Sequence, residues 1–279
     1  MSADRARRRA RRGFSLVELI ITLVLAAIIG AAAGRLLMSQ TRFYARLANQ
    51  KDARSVTRAA RNIMQTELSM VEASGGIVAA SNDSIRVRMP IAWGIFCSNS
   101  TIMLLPVDSA MRAMGTYEGY AAKDTTSTGT YTYTSASSAP TTGTATNCTA
   151  APVNITAPTN GSYVSLSPTL TATAGAPVFL YQTVTYLFRG SAIVPGKRGL
   201  YRRIGSGSAE EILAPFDTSA KFRFYRLYSD TAQTTVPTLT NIRGLEVMLD
   251  AQSAARAGGQ SSPESVSIKT AIFFRNRVD

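Results

Sequence analysis

From Phe14 to Met38 the chain carries only two charged residues, Glu18 and Arg35, and no proline interrupts it before Pro90. Backbone groups in hydrocarbon must satisfy one another, so an apolar run of this length is confined to an α-helix that crosses about 30 Å of bilayer core with some tilt. The preceding residues, 1–12, set Arg5, Arg7, Arg8, Arg9, Arg11 and Arg12 against the single acid Asp4. Such an excess of arginine holds its flank on the cytoplasmic side, and the helix is expected to enter with its N-terminus inside. No other part of the chain is apolar for long enough to cross again, so a single pass is expected.

The anomaly in this run is Glu18. An unpaired carboxylate inside a membrane segment costs about 2.5–3.5 kcal/mol on insertion scales, so it needs a partner or a purpose. A secretory signal would take the arginines as its basic region, Leu19 to Ile29 as its apolar core and Ala31-Ala32-Ala33 as its cleavage site. Arg11-Arg12-Gly13-Phe14 also loosely fits a twin-arginine signal. Both leave Glu18 without a use. An uncleaved anchor whose Glu18 snorkels to the headgroups is a further reading.

A basic leader ending in Gly13, followed by Phe14 and by Glu18 five residues into the remaining chain, resembles the bacterial type IV pilin and pseudopilin superfamily. The resemblance implies that a prepilin peptidase cuts between Gly13 and Phe14 on the cytoplasmic side and methylates the new amino group of Phe14, leaving the apolar segment on the protein. That amine is cationic. A carboxylate on a neighbouring subunit's helix, staggered by about one turn, could pair with it where water is scarce, which would give Glu18 the task of setting register during assembly. The implied partners are the peptidase, other pilin or pseudopilin subunits and the inner membrane, with a head on the periplasmic side.

Between Ser39 and Glu72 good helix formers dominate, which extends one helix from the membrane to about Val71, some 85–90 Å, with Ser74-Gly75-Gly76 ending it. The expected division is a leader at 1–13, a membrane-spanning half-helix at 14–38, an amphipathic half at 39–75 and a head at 76–279. In the second half Leu47, Val56, Ala60, Ile63, Met64 and Val71 fall near one face, with Arg54, Arg58 and Arg61 open to water. Gly30 and Gly34, spaced as small-xxx-small, permit close helix packing or a local loosening of the helix.

After Gly76 the pattern changes to period two. Ser84 to Met89, Val178 to Phe188, Gly199 to Ile204, Phe222 to Tyr228, Leu245 to Leu249 and Ile268 to Phe274 read as strands, with Gly258-Gly259 in the loop before the last. Residues 124–176 are crowded with Thr, Ser, Ala, Gly and Pro and read as a surface insertion with short strands. The expected fold class is α+β, a long N-terminal helix packed on an antiparallel β-rich head. The stretches Val184-Thr185-Tyr186, Gly199-Leu200-Tyr201-Arg202, Phe222 to Tyr225, Ile242 to Val247 and Phe273 to Asn276 resemble J-type pseudopilins and PilW-type minor pilins over residues 178–276.

The formal charge is +13, and loss of residues 1–13 would remove six arginines and one aspartate to leave +8. That balance fits a solvated basic exterior better than a nucleic-acid interface. Cys97 and Cys148 are the only cysteines. In an oxidising periplasm they form a candidate disulfide, worth about 4 kcal/mol for a loop of roughly fifty residues. The chain has no histidine, and a hydrolytic triad, a histidine zinc site and a phosphate-cradling glycine loop are missing, which argues against an enzyme and against a cofactor. Asp217, Asp230 and Asp250 are scattered acids without calcium-loop spacing, so no metal is assigned. Lys221 to Arg226 interleaves basic and aromatic residues, a pattern that an ordinary half-buried strand produces as readily as a single-strand-binding surface.

Overall fold

The computed structural model describes residues 15–123, 130–149, 154–170 and 172–274. One helix, α1 (Leu16–Leu68), leads into β1 (Ile77–Ala80), β2 (Ser84–Ser98), β3 (Thr101–Leu104), a short helix α2 (Pro106–Met114), β4 (Gly119–Lys123), β5 (Tyr131–Ser135), β6 (Thr141–Thr144) and β7 (Ser162–Ser165). Then follow β8 (Pro177–Gly190), β9 (Arg198–Ile204), β10 (Glu210–Phe216), β11 (Lys221–Arg226), β12 (Ala232–Gln233), β13 (Ile242–Gln252) and β14 (Ser265–Phe273). The class is α+β, with the long helix preceding a large antiparallel head. The helix stops at Leu68, three residues short of the expected Val71, and the chain turns into β1 through Gly75 at φ 77°.

The head is organised on two long strands. β2 and β8 pair antiparallel along nearly their whole length, from Ser84 opposite Leu187 to Ile95 opposite Pro177. Near α1 this pair is flanked by β1 and β9; at its other end it is flanked by β3 and β4. Two lobes therefore share one spine.

In the helix-backed lobe, Ile85, Val87 and Met89 alternate inward along β2 while Arg86 and Arg88 stay half-buried, as a strand with one core face requires. They meet Val184, Tyr186 and Phe188 of β8, Phe222 and Phe224 of β11, Leu245, Val247 and Leu249 of β13, and Ala53, Ala60, Met64 and Leu68 of α1. The residues that α1 buries are spaced i, i+4, i+7, i+11 and i+15 from Ala53, a single stripe of a 3.6-residue helix. Leu47 does not join them and is 46% exposed. It stands well off the Ala53 line.

The distal lobe gathers Ala92, Phe96, Ile102, Leu104, Tyr120, Val178 and Leu180 with Val164, Leu166 and Leu170. The last three belong to the Thr/Ser-rich stretch. That stretch does form short strands, β5, β6 and β7, and it also supplies core residues, which departs from a purely superficial insertion. Cys97, at the end of β2, is bonded to Cys148 with Cα atoms 5.4 Å apart, and Cys148 bridges to Ile155.

Candidate assembly site on the N-terminal helix

Between Ser15 and Asp52 no residue of α1 is buried. Thirteen large apolar side chains from Leu16 to Met38 stand exposed, each by about half or more. Covering them would be worth roughly 20–40 kcal/mol at ~1.5–3 kcal/mol each. A typical domain has only about 5–15 kcal/mol of net stability, so this surface does not belong in water. α1 is also the one helix among the described residues long and apolar enough to span a membrane.

Glu18 lies in the first turn of α1, exposed among Val17, Leu19, Ile20 and Ile21. Among the described residues no cation lies within ion-pair distance of it. Acidic residues are favoured near a helix N-terminus by the exposed backbone N–H groups, and Glu18 sits where that effect operates. Gly13 and Phe14 lie outside the described residues. Gly30 and Gly34 leave the helix unbroken, and a Cβ built on either would meet nothing within 4 Å. The surface beside the pair is open.

Residues 8–34 match the family model of the prokaryotic N-terminal methylation motif. The match takes in Gly13, Phe14 and Glu18 together with the glycine pair, and it supports a type IV pilin-like prepilin signal rather than an ordinary secretory one. No curated protein and no solved structure matches the chain. The motif points to a structural subunit of pilin or pseudopilin type. The position of the apolar helix fits one membrane anchor carrying a C-terminal head.

The remaining candidates fall in the head. Phe222 and Phe224 are fully buried and Arg223 pairs with Glu246 at 2.8 Å, so the basic-aromatic stretch is a core strand whose rings are already packed. Asp230 pairs with Arg243 at 3.1 Å, and Asp217 accepts from Ser219 Oγ at 3.0 Å. Among the described residues no group of three or more metal-ligating acids, cysteines or histidines forms.

One structural cluster escaped the sequence. Glu67, on the last turn of α1, accepts hydrogen bonds from the Tyr186 hydroxyl and from Arg202 Nε, the latter at 3.2 Å. Burial, and then the adjacent Glu67 carboxylate, push the Tyr186 phenol far above its ordinary range, so it remains a protonated donor. This cluster locks the helix to β8 and β9. Its members are 119 and 135 residues apart, and no spacing rule connects them.

Proposed function

We propose that this chain is a minor pilin or pseudopilin subunit, most like the J-type pseudopilins and PilW-type pilins, which assembles into or caps a type IV pilus or a type II secretion pseudopilus. Cleavage between Gly13 and Phe14 frees a cationic amine, subsequently methylated. Glu18 on a staggered neighbour pairs with it in the low-dielectric filament core, where a misplaced register would leave both charges unpaired. The exposed apolar turns, with Gly30 and Gly34 permitting close approach, supply the packing. The head then stands on the periplasmic side to meet other subunits or cargo.

The observation that carries this reading is Glu18, a lone carboxylate on an exposed apolar helix within the matched methylation motif. Mass analysis of the native membrane protein should give an N-terminus at N-methylated Phe14; one at Met1 or Gly34 would refute the processing. Glu18→Ala should lower incorporation into filaments at least about tenfold without changing the amount of membrane-inserted protein. Parental incorporation of that variant would remove the proposed register mechanism.

A further inference from the structure

The stripe of α1 that the head covers continues toward the membrane, where the head no longer covers it. At 3.6 residues per turn, Arg35, Arg42 and Arg46 lie within roughly 20° of the line through Ala53, the first buried residue of the helix. All three are exposed and, with Met38, Ser39 and Phe43, line a shallow groove along the helix. They are therefore under the edge of the head, on its own side of the helix. The loop between β13 and β14 reaches the same place. With its amide oxygen turned to the helix, Gln260 accepts from Arg46 Nη2 at 3.1 Å and Nε at 2.8 Å. A Cβ built at Gly259 would sit 3.5 Å from Arg42 Nη1, and Asn49 Nδ2 donates to Ala255 O at 3.3 Å.

Charge and depth select the occupant. Among the described residues no carboxylate lies within ion-pair distance of Arg35, Arg42 or Arg46. The loop's Arg256 and Glu264 cancel formally, and Asp52 is about 100° around the helix. At 1.5 Å per residue Arg35 stands about 28 Å from Leu16, at the far boundary of a hydrocarbon core about 30 Å thick. Arg42 is about 10 Å higher, near enough for its side chain to snorkel back to the headgroup layer. By contrast Arg54 and Arg58 lie about 57 and 63 Å from Leu16 and turn away from the head line.

We infer that Arg35 and Arg42 form a binding site for the phosphate of an anionic phospholipid in the leaflet beneath the head, with Arg46 holding the β13–β14 loop over it through Gln260. Two guanidinium groups on one helix face offer the forked donors that phosphate oxygens accept. The inference rests on the membrane-anchored reading of α1. It adds that the head is seated on one side of the helix by an acidic lipid, a contact that extraction into a filament must break.

The test uses the chain beginning at Phe14, freed of the six leader arginines that would themselves hold acidic lipid in the opposite leaflet, in nanodiscs of phosphatidylcholine alone or mixed with phosphatidylglycerol, with retained lipid counted by native mass spectrometry. Wild type should retain phosphatidylglycerol about thirtyfold over phosphatidylcholine, taking ~1 kcal/mol for each of two arginines and about 1.4 kcal/mol per tenfold. Arg35→Gln with Arg42→Gln should abolish the preference, and Arg54→Gln with Arg58→Gln, equal in charge, should keep it. Equal loss in both pairs, or survival of the preference in the first, would overturn the site. Displacement of the lipid by millimolar inorganic phosphate would overturn the lipid and leave a soluble-anion site. Failure to enter either nanodisc would instead refute the membrane reading on which the site depends.

Discussion

In the half of α1 that lies against the sheet, Ala53, Thr57, Ala60, Met64 and Leu68 are buried and most of their neighbours are exposed; in the half from Leu16 to Met38 no side chain is buried at all. The backbone is one continuous helix through both. What differs is the source of the covering surface. The C-terminal half finds it in β10, β13 and β14 of the same chain, and so needs only one apolar stripe. The N-terminal half is apolar around its circumference, which is the pattern of a helix whose surroundings are lipid or other helices on every side. A helix can thus declare by the width of its apolar surface whether its partner is in the same molecule.

Substitutions in the two halves should separate these roles. Met64→Ala is expected to cost about 3 kcal/mol of head stability, while Leu25→Ala should change it by less than about 0.5 kcal/mol. Urea unfolding in detergent, followed by a head signal such as Trp93 fluorescence, measures both. Comparable losses would mean that the apolar N-terminal half is coupled to the head after all. A smaller effect is expected at the junction. Glu67→Gln weakens the bonds to Tyr186 and Arg202 and should cost about 1–2 kcal/mol, reduced by the partial exposure of the pair.

A further effect is on alkaline pH dependence. Burial, then Tyr120 and Tyr181, push Tyr117 up to about 12, and Tyr133 and Tyr186 shift in the same direction. A raised pKa means that the folded state holds the proton more tightly. The associated stability is therefore complete below pH 10 and declines as pH rises toward 12. Urea midpoints at pH 9 and 11 should differ accordingly, with no matching change in the apolar N-terminal half.

Much of this arrangement was legible where burial imposes a period. Ile85, Val87 and Met89 on β2, Phe222 and Phe224 on β11, and Leu245, Val247 and Leu249 on β13 alternate because one face of each strand meets the core. β10 was not legible, since Glu210 to Phe216 shifts register twice against β9 and loses its alternation. Nor was the burial of Val164, Leu166 and Leu170, which sit singly among Thr, Ser and Pro without enough neighbours to make a pattern. For the candidate site on α1, Glu18 stood out because one charge in an apolar run is costly. Arg35, Arg42 and Arg46 did not, because their common face acquires meaning only once the position of the head is known.

The shared spine has a mechanical consequence. Because β2 and β8 run through both lobes as one antiparallel pair, 15 and 14 residues long, tension applied to the distal lobe along the strands is borne by many rungs at once, in shear. A tug at the outer end is thereby delivered to the base of the head, beside the helix, before the ladder can unzip.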